Sequence, residues 1–295
     1  MRALYDVLAP AKLNLFLHVV GRRPDGYHLL QSAFVLIDWC DTLHLERRDD
    51  GRLARHDLAA ALPEDDLCLR AARALQRESG TPLGADIHIV KQVPWGAGMG
   101  GGSSDAASTL LALNRLWALD WPLSRLMKLG LALGADVPFF LGGRNAWVEG
   151  IGERLTPLDL PGAWYAVVKP ATAIATKDIF ESPLLVRDTE AVILAGFLAD
   201  AGVARLSEGY GRNDLQPPAE ATSEQVAQAA RLLEARFGNS RMTGSGSAVF
   251  ARVSARAGTG TGNQPMATMP DLPAEWVGRM CRSLKLHPLA GWADD

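Results

Sequence analysis

Residues 94–104, Pro-Trp-Gly-Ala-Gly-Met-Gly-Gly-Gly-Ser-Ser, restrict the fold of this 295-residue chain more than any other segment, because five of the eleven positions are glycine. Ahead of them, residues 85–93 alternate in character, with Ile87, Ile89 and Lys91 on one side, and predict a strand. Behind them, Ala106, Ala107, Leu110, Leu111, Leu113, Asn114 and Trp117 recur at helical spacing, with no proline until Pro122. A strand that passes through glycines into a helix can bring bare backbone against a ligand, since glycine takes positive φ and has no Cβ. The free N–H groups and partial positive charge of the helix start then favour an anion such as phosphate. Ser103 and Ser104 either cap the helix or offer hydroxyls to phosphate or its metal ion. A flexible linker rarely separates a strand from a long helix so tightly.

Three phosphate-binding templates compete for this segment. Gly96-x-Gly98-x-x-Gly101 matches the dinucleotide fingerprint, but the acidic residue wanted about 20 positions on falls at Asp120, just past a helix. The P-loop template needs Gly-Lys-Ser/Thr, and the segment holds no lysine. Neither H-R-D nor D-F-G, which a protein kinase requires, occurs in the chain.

The remaining chain predicts two α/β domains. Residues 13–20 form a strand closed by Gly21, Pro24-Asp25-Gly26 a turn, and residues 32–37 and 41–46 further strands. Helical spacing covers residues 67–77, 124–133, 190–198 and 223–237, and strands are expected at 147–149 and 164–169. Two prolines in residues 156–162 mark the boundary, giving domains 1–160 and 161–295. The mixed run Glu46-Arg47-Arg48-Asp49-Asp50 reads as a solvated turn. Within residues 255–270, the low-complexity patch 258–262 reads as a flexible surface loop.

A net charge of -3 argues against a nucleic-acid partner. Three widely spaced cysteines with no C-x-x-C argue against disulfides and structural zinc, and suit a reducing cytosol. With no signal-peptide pattern and no apolar run near the roughly 20 residues of a membrane helix, a cytoplasmic protein, monomeric or homodimeric, is expected.

Three shorter features are ambiguous alone. Lys12 and Asn14 share one face of an apolar strand, either lining a cleft or solvated at a sheet edge. Asp136, in Gly134-Ala135-Asp136-Val137-Pro138, is a helix N-cap more readily than a catalytic base. Residues 241–250 carry a second glycine loop, which a plain hairpin turn would also explain.

In this order, the lysine strand, the glycine loop and the late glycine loop resemble the GHMP kinases, the family of galactokinase, homoserine kinase and mevalonate kinase. Pro10-Ala11-Lys12-Leu13-Asn14-Leu15 followed by Gly26-Tyr27-His28, with Asn213-Asp214-Leu215 and Cys281-Arg282-Ser283-Leu284, narrows the likeness to a kinase of the non-mevalonate isoprenoid pathway. Trp95, Ala97, Met99 and Asp105 depart from the commoner residues of that pattern.

The resemblance implies an α/β (α+β) fold of two domains, one like ribosomal protein S5 and one ferredoxin-like, with the active site between them. It implies ATP and Mg²⁺, and an acceptor that is cytidine diphosphate-linked methylerythritol, phosphorylated on its 2-hydroxyl. Lys12 and Asp136 would be catalytic, the aspartate as base and the lysine as its partner. Pro94, Gly96, Gly98, Gly100, Gly101, Gly102, Ser103 and Ser104 would hold ATP, with Lys91 beside them as a nucleotide contact. Asn14, Tyr27, His28, Thr176 and Phe180 would hold the acceptor, His28 by hydrogen bonding and the two aromatics by stacking on the base. A GHMP kinase for homoserine, mevalonate or a sugar, or a nucleotide-binding paralogue without catalysis, are the alternative readings. The remaining histidines, His18, His44, His56, His88 and His287, are scattered singly and receive no role.

Overall fold

The computed structural model describes residues 1–59, 61–256, 264–265 and 267–295. Two long strands, β1 (Ala3–Arg22) and β2 (His28–Arg48), form an antiparallel hairpin around the turn at Pro24-Asp25-Gly26. Sequence patterning divides β2 into two strands, but it is one 21-residue strand, long enough to take three partners along its second edge. These are β4 (Gly84–Val90), β5 (Ala146–Gly150) and β12 (Val277–Leu284). Outside β4 lies β3 (Leu53–Asp57), and outside β5 lies β6 (Arg154–Pro157). Through β12 the sheet continues into β7 (Trp164–Lys169), then β9 (Val249–Val253) and β8 (Arg241–Met242). Residues 156–162 thus connect strands of a single sheet, and β12 sits between the two halves.

Helices α1 (Leu67–Ser79), α2 (Gly101–Leu116), α3 (Leu123–Leu133) and α4 (Val137–Gly142) cover one face of the first half. Leu43, Leu45, Ile87 and Ile89 of the sheet pack there against Leu75, Leu110 and Leu113, all essentially inaccessible. The second half carries five helices among the described residues: α5 (Thr176–Glu181), α6 (Leu194–Ala199), α7 (Gly202–Ser207), α8 (Gln216–Thr222) and α9 (Glu224–Phe237). Only α9 is long; its Val226, Ala229 and Leu233 pack on Val249 and Ala251 of β9.

Several boundaries differ from the sequence expectation. β4 stops at Val90 because the Asp41 carboxylate takes the N–H groups of Gln92 (2.6 Å) and Val93 (2.8 Å), pulling the chain out of the ladder. α2 begins at Gly101 with Gly100 as its N-cap, so Ser103 and Ser104 lie inside the first turn and cap nothing. The 190–198 helix starts only at Leu194. Glu46 and Arg48 of the charged run are strand residues, and Arg48 clamps Asp50 (2.6 Å) and Asp86 (2.9 Å). The patch at 258–262 lies outside the described residues; beside it, β10 (Ala255–Arg256) pairs with β11 (Gln264–Pro265).

Among the described residues, β1 has β2 on one side and, apart from a single bridge between Leu17 and Asn213, no strand on the other. Bare edge groups must find partners, and loops supply them. Met99 O accepts from the N–H of Lys12 (3.0 Å), Thr243 Oγ1 from Asn14 (3.0 Å), Arg212 O from Leu17 (2.9 Å), and Asp214 Oδ2 from Val19 (2.8 Å). Arg241 donates to the carbonyl of Leu15. The two glycine loops also touch each other, with Ser247 N donating to Gly96 O (3.3 Å) and Ala248 N to Ala97 O (3.2 Å). Gly98, at φ 71°, lies so close that an added Cβ would stand 2.2 Å from Thr243 O.

Gly98→Ala should therefore strain both loops at once. A loss of about 1–3 kcal/mol, the range for such backbone strain, is expected in chemical denaturation, and an unchanged midpoint would contradict the loop contact.

Candidate active site

The face of β1 that carries Lys12 and Asn14 is buried, because the loops that satisfy the strand's edge also roof its side chains. Lys12 Nζ donates to Asn14 Oδ1 (2.6 Å), lies 4.3 Å from the centre of the Phe34 ring, and faces Asp136 Oδ2 at 3.7 Å. Burial lowers the pKa of Lys12, and the Asp136 carboxylate works against that drop. Asp136 occupies the N-cap position of α4, yet its carboxylate makes no capping bond; it turns toward the lysine and stays 32% exposed. Asn14 Oδ1 also accepts from Gly244 N (2.9 Å) and Thr243 Oγ1 (3.2 Å), and its Nδ2 donates to Ser32 Oγ (3.0 Å). One asparagine thus couples the lysine to the late glycine loop. That loop does join paired strands, as a hairpin turn would, but it also closes the cleft.

Three cavities meet along this face. The first, about 350 Å³, is lined by Lys91, by Pro94 through Gly102, and by Ser103. The second, about 310 Å³, holds Lys12, Asn14, Asp136, Thr176 and Ser245, and shares Gly96, Gly98 and Gly100 with the first. The third, about 530 Å³, contains Tyr27 and His28 and shares Leu30, Ile151, Thr176 and Phe180 with the second. A single ligand path therefore runs from the glycine loop, past the lysine–aspartate pair, to an aromatic end.

At the glycine-loop end, the first turn of α2 offers the unpaired N–H groups of Gly101, Gly102 and Ser103, with no acidic residue among its first positions. Ser104 Oγ is buried with no hydrogen-bond partner among the described residues, while Ser103 lines the cavity. Lys91 lines this cavity, but its ammonium is already held by Asp41 (2.5 Å) and Asp105 (2.6 Å). Burial opposes its charge, but the two carboxylates outweigh burial and hold its pKa above that of an ordinary lysine. Burial also pushes the Asp105 carboxyl up to about 8, Asp41 adding to the rise and Lys91 opposing it. Asp41 and its link to Lys91 escaped the sequence reading, since residues 41, 91 and 105 belong to three separate elements.

At the aromatic end, Tyr27 is 60% exposed on the cavity, and Thr176 Oγ1 lies 2.8 Å from Ser245 Oγ. His28 and Phe180 stack on each other, ring centres 4.9 Å apart and planes 23° from parallel. Two histidine groups depart from the picture of isolated residues. His44, His88 and His56 stand side by side across β2, β4 and β3, with the His56 and His88 rings 4.5 Å apart. His18 packs between Phe16 and Tyr210.

Residues 66–144 match the family pattern described as GHMP kinases N terminal domain. A protein of Methylibium petroleiphilum named 4-diphosphocytidyl-2-C-methyl-D-erythritol kinase is 67% identical, the alignment covering 99% of both chains. One of the same name from Paracidovorax citrulli is 55% identical over 100% of this chain and 99% of its own. A crystal structure of 4-(cytidine 5'-diphospho)-2C-methyl-D-erythritol kinase superposes with a TM-score of 0.71 at 36% identity, covering 82% of this chain and 88% of its own.

The Asp41–Lys91–Asp105 cluster yields a pH test. A carboxyl whose folded pKa exceeds its unfolded value near 3.9 binds an extra proton in the folded state, so stability falls as pH rises toward about 8. Asp105→Asn keeps the shape and removes that proton. Its melting temperature should fall less than that of the parent between pH 5 and pH 9; parallel curves would show that Asp105 does not titrate there.

Proposed function

Because the chain belongs to the GHMP kinases, within the branch of 4-diphosphocytidyl-2-C-methyl-D-erythritol kinases, we propose that it transfers the γ-phosphoryl group of ATP to the 2-hydroxyl of 4-diphosphocytidyl-2-C-methyl-D-erythritol. The products are the 2-phosphate and ADP. The observation that carries this reading is the placing of the Lys12–Asp136 pair in the cavity shared by the glycine loop and the Tyr27–His28 cleft. A hydroxyl between a nucleotide at one end and its own pyrimidine at the other would lie beside Asp136, the only acidic residue that lines the middle cavity among the described residues.

The residues then take definite parts. Asp136 accepts the acceptor's hydroxyl proton as that oxygen bonds to the γ-phosphorus and the bond to the bridging oxygen of ADP breaks. Lys12, buried and held by Asn14, keeps the carboxylate oriented and offsets the negative charge that develops. The first-turn N–H groups of α2, with Ser103, hold the phosphates. Magnesium, where bound, neutralises phosphate charge, and the Ser103 hydroxyl, which lines the glycine-loop cavity, is a side-chain oxygen that would hold it. Lys91 serves this end through Asp41 and Asp105, which fasten the strand exit to the helix start. Tyr27, His28 and Phe180 receive the cytosine, where base stacking is worth about 1–3 kcal/mol. Three free cysteines, two of them buried, fit a cytoplasmic setting, and no helix among the described residues is long and apolar enough to cross a membrane.

ADP release measured with the cytidylated acceptor beside mevalonate, homoserine and galactose tests the assignment, and equal turnover of any of the other three would overturn it. Asp136→Asn should lower turnover by at least about 10²–10⁴-fold, the usual yield of general-base assistance, while ATP affinity stays within about threefold, roughly 0.7 kcal/mol. A side chain at Gly101 begins 3.1 Å from Lys91 Nζ and Val93 Cγ1. Gly101→Val should thus raise the KM for ATP about tenfold or more, equivalent to about 1.4 kcal/mol, and leave the acceptor KM in place. The reverse pattern would move ATP away from this loop.

A further inference from the structure

Arg187 takes no part in the roles assigned above, yet all its nitrogens are engaged at the aromatic end of the cleft. Nη2 donates to Phe180 O (2.8 Å) and Ser182 O (3.0 Å), Nη1 to Leu185 O (3.0 Å), and Nε to His28 Nε2 (3.2 Å). The three carbonyls belong to the end of α5 and the turn after it, while His28 opens β2, 159 positions earlier. One cation therefore ties together the two segments that supply the stacked rings.

We propose that Arg187 is the positioning residue for base recognition: it fixes His28 as a hydrogen-bond donor through Nδ1 and holds Phe180 against it, so that a pyrimidine with an acceptor edge meets a preformed surface. The proposal rests on the cytidylated acceptor proposed above. A guanidinium can only donate, so Nε2 must carry the lone pair and Nδ1 the proton. Burial first, then the charges of Arg187 and Arg22, holds the pKa of His28 below that of a free imidazole, so the ring is neutral at pH 7. Cytosine presents acceptors at O2 and N3, whereas uracil has an N–H at position 3 that a donor-only nitrogen cannot satisfy. A site built around a polar contact rejects the base that leaves its donor unpaired. Arg22, Asp25, Lys177 and Glu181 also line this cavity, so measurements at one fixed pH near 7 keep their charges constant.

The test uses the full chain, with cytidine 5'-diphosphate and uridine 5'-diphosphate as probes. In Arg187→Ala, the Kd for cytidine diphosphate should rise at least about tenfold, equivalent to about 1.4 kcal/mol, and the preference over uridine diphosphate should shrink toward unity. ATP affinity should stay within about twofold, roughly 0.4 kcal/mol. Arg187→Ala combined with His28→Ala should lose less affinity than the two single changes add up to, because both changes break the shared Arg187–His28 bond. Additive losses, or unchanged pyrimidine affinity, overturn the proposal. Nitrogen NMR of the imidazole decides the proton's place without any substrate: the parent should show Nδ1–H, and Arg187→Ala should lose that preference. A parent spectrum with the proton on Nε2 refutes the device even if cytidine diphosphate binds. Spectra as expected beside no cytidine diphosphate binding leave the Arg187–His28 bond standing and reject the acceptor. Should Arg187→Ala melt too low to assay, Arg187→Lys keeps the charge but cannot serve four acceptors, and must show the same loss of preference in weaker form.

Discussion

The open edge of β1 organises the molecule. Between Lys12 and Val19 the strand presents backbone groups to a buried place with no neighbouring strand among the described residues, and an unmet group there costs about 1–3 kcal/mol. Met99, Arg212, Asp214, Arg241 and Thr243 meet that demand from three stretches of sequence. Each stretch is one of the short motifs that sequence reading picks out or lies beside one. The motifs converge because the same strand edge needs all of them. Moving one loop would release an N–H of β1, so the edge fixes the geometry of the cleft more firmly than contacts between loops could.

Two lysines in the cleft show opposite treatments of a buried charge. Lys12 has a single carboxylate at 3.7 Å and an amide oxygen, and burial lowers its pKa. Its positive charge is thus only partly answered by the protein, which leaves it able to meet the further negative charge that the proposed phosphoryl transfer would bring. Lys91 lies between two carboxylates at 2.5 and 2.6 Å and is held above the usual range. A group so completely satisfied has little left for a ligand, and breaking such a buried pair by removing one member is strongly destabilising. The difference between the two roles is one of charge balance, which the residue type alone does not reveal.

The glycine segment, the lysine strand and the long helices α2, α3 and α9 were legible because each carries a local signal: glycine density, alternation, or 3.6-residue periodicity. Helices α5 to α8 run only six or seven residues, too short for a period to emerge, and went unread apart from part of α6. The exit of β4 differs from the expectation because the Asp41 carboxylate, 51 and 52 positions before the N–H groups it takes, draws the strand out of the ladder. Gly100 as N-cap was hidden by two serines that ordinarily take that place. The histidines at 44, 56 and 88 form a row only once three strands pair, and Arg187 acts on carbonyls that carry no side-chain signature. In each case the missing information was a long-range contact; the residue chemistry itself was in view.

The strand that joins the two halves of the sheet is supplied late. β12 pairs with β7 through Arg282 and with β2 through Ser283 and Leu284, and the segment after it returns to the first helices: Arg115 donates to Gly291 O and Trp292 O, and Ser124 N to Asp295. During synthesis, the first 160 residues emerge well before this closing strand, at about 5–20 residues per second. For several seconds β2 carries an unfilled stretch of edge between its β4 and β5 partners. The joint between the two halves of the sheet is thus made late, and until then that gap in β2 is open to pairing with the wrong strand.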